Sequence, residues 1–154
     1  MDSIYLPIIL FILIGHYVLD VIVEVLNVRS ASPRLPQEFE GFYDSGKYKK
    51  SQEYLKETTR FRLVKETFFT LLTVVFILLG GFNVVDQFVR NFGFGSILAG
   101  LFFAGVLMLA SEFLSIPFSA YRTFVIEEKY GFNRTTVKTF LLDILKKILL
   151  SALI

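Results

Sequence analysis

The sequence predicts an all-α, polytopic membrane protein with three to four membrane helices and a long amphipathic cytosolic helix leading into the second of them. Three observations lead there. Hydrophobic residues make up 54% of the 154 positions, with 18 Phe, against about 45–50% in an ordinary soluble domain. Mean hydropathy is positive, at +0.60. The apolar residues also fall in runs, several of them near the roughly 20 residues a helix needs to cross a bilayer core.

The first run, IYLPIILFILIGHYVLDVIVEVL at about 4–26, has 23 residues and as a helix covers roughly 34 Å. Its start, MDS, carries no basic residue, and the run exceeds the apolar core of a signal peptide, so an uncleaved span is expected. In the following SPRLPQEF, Pro33 and Pro36 favour extended chain, and Gly41 to Gly46 reads as a turn region. From Lys47, KYKKSQEYLKETTRFRLVKETFF holds no Pro or Gly, and Tyr48, Leu55, Phe61, Val64 and Phe68 recur at helical spacing. One long helix should therefore run into a second span at about 64–82 that ends at Gly80-Gly81. The third span, about 96–116, precedes Pro117, where a helix is expected to end or kink. Gly100, Ala104 and Gly105 give it a small-residue face suited to close helix packing. The fourth, incomplete span at about 139–154 is apolar apart from Asp143, Lys146 and Lys147. Asp143 and Lys147, four residues apart, are expected to pair on one face.

Basic residues orient the set. The connector 27–62 carries Arg29, Arg34, Lys47, Lys49, Lys50, Lys56, Arg60 and Arg62; the connector 83–95 has only Arg90; and 120–138 has Arg122, Lys129, Arg134 and Lys138. Positive charge collects on the cytoplasmic side, so connectors 27–62 and 120–138 are expected in the cytosol and the N-terminus outside or in a lumen. The membrane would be the endoplasmic reticulum in a eukaryote and the plasma membrane in a bacterium. A net charge of +2 is too small and dispersed for a nucleic-acid partner, which leaves the lipid bilayer as the first partner. With no Cys in the chain, disulfides, thiolate metal sites and cysteine nucleophiles are excluded.

Few residues offer chemistry. His16, Asp20 and Glu24 repeat every four residues and form a polar stripe on one helix face. Such a stripe inside a span is expected to face a cavity or another helix. It cannot close on one metal ion, because the three side chains spread over roughly 12 Å of helix. Glu112, a lone carboxylate late in the third span, is expected to face the same interior. HExxH, GxSxG and GxxxxGK[ST] are absent, so no catalytic residue and no metal ligand set is assigned. Between the third and fourth spans, TFVIEEKYGFNRTT reads as an extended TFVIEE, a turn at Tyr130-Gly131-Phe132-Asn133 and a helix start. Gly131 permits positive φ, and Asn133 or Thr135-Thr136 can cap the helix. Glu127 and Glu128 are adjacent, so their side chains diverge and do not form an acid–base pair.

The run YRTFVIEEKYGFNRTTVKTFLLDILKK with PFSAY before it, together with KYKKSQEYLKETTRF and the Gly-Gly-Phe at 80–82, resembles the N-terminal membrane region of the type I CAAX prenyl proteases. These are integral-membrane zinc metalloendopeptidases. The resemblance implies that residues 1–154 form an N-terminal transmembrane domain with the catalytic metallopeptidase domain absent. The domain would be part of the wall of an intramembrane chamber and support an active site that processes prenylated CAAX proteins or peptides. It further implies zinc and a prenylated C-terminal peptide as substrate for the complete enzyme. This chain, lacking HExxH, would bind no zinc and be inactive by itself. Carried onto this sequence, Phe124, Val125, Ile126, Glu127, Glu128, Tyr130, Gly131, Phe132 and Asn133 would line or brace the cytosolic approach to the active site, through extended pairing with catalytic-domain backbone. Two other readings stand beside it: a free-standing membrane scaffold or partner-binding protein without catalysis, and a small transporter or channel that uses the His16, Asp20, Glu24 stripe.

Overall fold

The structure, a computed structural model, describes residues 4–32, 34–37, 41, 42 and 44–153. Pro33, Glu38, Phe39 and Tyr43, on which part of the expected extended stretch and turn falls, lie outside the described residues. Every regular element among the described residues is helical: α1 Tyr5–Ser30, α2 Ser45–Leu78, α3 Gly81–Arg90, α4 Ser96–Tyr121, a π-helical segment Arg122–Glu127, and α5 Val137–Leu153. They divide into two compact units, Met1–Val75 and Phe76–Ile154.

In the first unit, α1 and the greater part of α2 form an antiparallel pair. Pro7 sits in the first turn of α1, where its missing N–H removes no helical bond. The chain enters α2 through Asp44, whose Oδ1 accepts from the N–H of Gly46 at 2.8 Å and of Lys47 at 3.0 Å. That capping bond replaces helical partners the first turn lacks. α2 runs without a break for 34 residues, as the absence of Pro and Gly after Lys47 predicts. Its threonines adapt to an apolar medium: the hydroxyls of Thr58, Thr67 and Thr73 donate to the carbonyls of Tyr54, Leu63 and Phe69 four residues back, at 2.7, 2.7 and 2.8 Å. Each polar group is thereby satisfied inside its own helix.

The second unit begins with the end of α2. At Leu79–Gly80 the helix stops; Gly80 has φ 71°, a left-handed conformation that closes helices and that side chains resist. α3 follows, a helix in a stretch that charge counting treats as a connector. Phe82 on α3 meets Phe76 at 5.0 Å edge to face and Phe103 on α4 at 6.4 Å. α4 passes through Pro117 without ending and is prolonged by the π-helical turn.

Two helical stretches are long and apolar enough to cross a membrane, Tyr5–Ser30 with mean hydropathy 2.4 and Ser96–Glu127 with 2.1; α2 and α3 make a third if taken together as one broken span. Their apolar side chains are exposed rather than packed: Phe11, Ile97 and Phe113 are 79%, 80% and 74% exposed. In water such a surface would be untenable, whereas lipid solvates it. α5, with 17 residues, is shorter than the roughly 20 a span requires.

Three sequence expectations are corrected. TFVIEE is helical, not extended: its β-branched run suggests a strand, but no strand partner exists among the described residues, and continued helical bonding satisfies the backbone. Pro117 does not end α4, because the apolar helix continues around it. Gly100 and Gly105 make no close helix contact among the described residues, since nothing there stands within 4 Å of where a Cβ would lie at either.

Two outcomes follow from the termini of α2. A Cβ at Gly81 would clash with the Phe76 ring, so Gly81→Ala should lower the thermal unfolding temperature more than Gly80→Ala, whose cost is the left-handed φ alone, about 1 kcal/mol. The Asp44 carboxyl is held below its ordinary value of 3.8 by the N–H groups of Lys47 and Gly46. The cap is therefore intact above that value and lost as pH falls through the lower folded value. Amide exchange at Gly46 and Lys47 should be slower than in Asp44→Ala at neutral pH and match it once the pH is well below 3.8.

Candidate functional site

The polar stripe of α1 is matched by α2. Glu24 is ion-paired with Arg62, which also lies 3.9 Å from Glu66 Oε1. Tyr17 and Thr67 share a hydrogen bond of 2.7 Å. Because the Thr67 hydroxyl donates to Leu63, Tyr17 is the donor. His16 Nδ1 stands 3.4 Å from Asp20. A groove of about 700 Å³ opens between the helices, lined by Ile9, Ile12, Leu13 and Phe69 and, among its polar groups, by His16, Tyr17, Asp20 and Glu66. Glu66 Oε2 is buried there without a hydrogen-bond partner. Within the stripe the side chains of His16 and Asp20 are 77% and 48% exposed, and Glu24, at 16%, is its best-shielded charge. Arg62, the partner that fixes it, is hidden in sequence among eight basic residues of one connector.

In the second unit Glu112 on α4 accepts from Lys147 Nζ on α5 at 2.7 Å. This corrects the expected Asp143–Lys147 pair: Asp143 meets Lys146 instead, at 3.7 Å. Glu112 has no other cation on α4 within reach of the next turn, so an interhelical bond to Lys147 relieves it, while Asp143 can use its own neighbour. Below this pair Gly105, Met108, Leu109, Ile148 and Ser151 line a cavity of about 240 Å³.

The segment Phe124–Asn133 is compactly tied. Ile126 and Tyr130 are 1% and 7% exposed; they are the anchors of the segment, and Phe124 packs edge to face on Phe140 of α5 at 5.3 Å. The chain then reverses at Gly131, φ 70°, with the N–H of Gly131 bonded to Glu128 O at 2.9 Å and those of Phe132 and Asn133 to Glu127 O at 2.8 and 3.2 Å. Glu127 lies 3.2 Å from Arg122 Nε. Asn133 Nδ2 donates to Glu128 Oε2 at 2.8 Å, and its Oδ1 accepts from Thr135 N–H at 2.7 Å. Thr136 Oγ1 accepts from Thr139 N–H at 3.2 Å, so of the two expected caps Thr136 caps α5 and Asn133 shapes the turn before it. The two carboxylates have separate structural partners, in keeping with divergent side chains. Val125 and Phe132 are 44% and 52% exposed. The π-helical turn, which re-aims this segment, left no clear signature in the sequence.

The comparisons with known proteins cover nearly the whole chain. The family described as CAAX prenyl protease N-terminal, with five membrane helices, matches residues 24–154. This chain belongs to that family. Similar curated proteins include the CAAX prenyl protease 1 homologs of Oryza sativa subsp. japonica, 30% identical over 97% of this chain and 37% of its own length, and of Mus musculus, 31% identical over 81% and 28%. The crystal structure of S. mikatae Ste24p superposes with a TM-score of 0.87 at 25% identity, covering 97% of this chain and 36% of that one. The chain is thus an N-terminal membrane domain of the CAAX prenyl protease type and an integral membrane protein, spanning about a third of the length of the curated relatives it matches. Zinc, which the family implies for the complete protease, does not fit the residues of this CAAX prenyl protease N-terminal domain. Among the described residues no three His, Cys, Asp or Glu side chains lie close enough to hold an ion, and Glu24 is already committed to Arg62.

The turn gives a direct test. Asn133→Ala removes both side-chain bonds and should cost about 1–2 kcal/mol, visible as a lower unfolding temperature in detergent. Asn133→Asp keeps the acceptor for Thr135 but sets a second carboxylate against Glu128, and should recover toward wild type only as the pH is lowered.

Proposed function

We propose that this domain forms part of the membrane wall of a zinc endopeptidase that processes prenylated CAAX proteins or peptides, and that it supports an active site carried by a catalytic domain outside these 154 residues. The observation that carries the reading is the family match over residues 24–154 together with the Ste24p likeness over 97% of this chain. The basic connectors support an orientation with the N-terminus outside or lumenal and residues 27–62 and 120–138 in the cytosol. On that side the segment Phe124–Asn133 braces the approach to the active site. Its internal bonding, Glu127 to Arg122 and Glu128 to Asn133, favours bracing over substrate contact. The exposed Val125 and Phe132 are the side chains placed to meet the catalytic domain. The π-helical form replaces extended pairing as the way this brace is built. No observation favours a free-standing scaffold or a transporter.

The coding DNA past Ile154 tests the reading. An in-frame HExxH-encoding segment is expected, and a stop codon with no such frame nearby would contradict it. In the complete protease, Glu128→Gln should change kcat for a prenylated peptide while leaving KM within about twofold, as expected of a residue that supports rather than binds. A rise in KM at unchanged kcat would assign Glu128 to the substrate.

A further inference from the structure

We propose that α3 is a monotopic interfacial helix, lying in the plane of the membrane surface with Val84 and Phe88 inserted at the boundary between headgroups and acyl chains. At about 100° per residue, Asn83, Asp86, Gln87 and Arg90 fall on one face and Phe82, Val84, Val85, Phe88 and Val89 on the other. The apolar face is wider than its protein contacts. Its inner edge is used: Val89 is 2% exposed, and Phe82 contacts Phe76 and Phe103. Its outer edge is bare: Val84 is 63% and Phe88 55% exposed.

Three observations identify lipid as the cover for that edge. First, α3 is tethered between apolar helix ends, two residues after α2 and five before α4. Extended chain reaches at most about 3.6 Å per residue, so the helix cannot move far from the end of either flanking apolar stretch. Second, the bare edge continues without interruption into the surface of a membrane span. Phe88 stands edge to face with Phe92 at 5.3 Å, Phe92 is stacked on Phe94 at 5.8 Å, and Phe94 on Phe102 of α4 at 4.8 Å. Phe is among the residues that in-plane helices turn toward the acyl boundary. Third, the polar face carries its own neutralisation, a 2.8 Å pair between Asp86 and Arg90. An in-plane helix keeps that pair at the water, whereas a helix continuing the α2 span would carry four polar residues into hydrocarbon. With no excess charge, its hold on the membrane is apolar and independent of anionic lipid.

The absence of Cys from the chain makes the test clean. Single substitutions Val84→Cys, Phe88→Cys, Asn83→Cys and Gln87→Cys in the 154-residue chain, nitroxide-labelled in phosphatidylcholine vesicles, report access to oxygen from lipid and to a nickel chelate from water. Positions 84 and 88 should favour oxygen at nearly equal, shallow depth, and 83 and 87 should favour nickel, with no change when a third of the lipid is phosphatidylglycerol. Depth increasing steadily from 83 to 88, nickel access at 84 and 88, or shielding of both from both reagents would each overturn the proposal. The first would make α3 part of a broken span, the second a soluble connector, and the third a protein contact.

Discussion

Hydrocarbon solvates neither a charge nor an open peptide group, and that constraint organises this chain. Every described element is helical because a helix satisfies its own backbone. Two of the charges that enter the apolar stretches are met from another helix, Glu24 by Arg62 and Glu112 by Lys147, while Asp20 and Asp143 have partners on their own helices. A soluble protein could leave such groups to water. Here each interhelical pairing also fixes which faces of two helices meet, in a medium where apolar side chains give little preference for one another over lipid.

The connector between α4 and α5 likewise keeps its backbone bonded within the chain. A strand there would need a partner, so the chain stays helical through Glu127 by passing into a π-helical turn. It then reverses at Gly131 with its N–H groups bonded to the carbonyls of Glu127 and Glu128. Buried Ile126 and Tyr130 anchor the segment, and Phe132 and Val125 are left outward. Such an internally bonded corner is what the proposed bracing role asks of it.

Much of this was legible in the sequence. Apolar run length places α1 and α4, the absence of Pro and Gly after Lys47 gives the unbroken α2, and Gly131 and Thr136 mark the turn and the cap. The polar spacing of His16, Asp20 and Glu24 marks one face of α1, of which Glu24 pairs with Arg62 on α2. What stayed hidden depends on three-dimensional context. Arg62 is one basic residue among many until α1 lies beside it. Lys147 has an equally good local partner in Asp143, and only the approach of α4 decides for Glu112. The helix α3 was missed, because a count of charges across residues 83–95 treats the stretch as a connector. The extended reading of TFVIEE failed because β-branched residues yield to backbone satisfaction when no strand is at hand.

The central claim is that interhelical charge pairing, not the apolar surface, sets how these helices meet, and a double-mutant cycle on Glu112 and Lys147 tests it. Unfolding of the 154-residue chain in lipid nanodiscs would be followed for Glu112→Gln, Lys147→Met and the two combined. Each single change leaves one charge unmatched, so both should destabilise, and the double variant should be more stable than their sum predicts by at least about 1 kcal/mol. Strict additivity would contradict the account and return the packing of α4 and α5 to their apolar side chains.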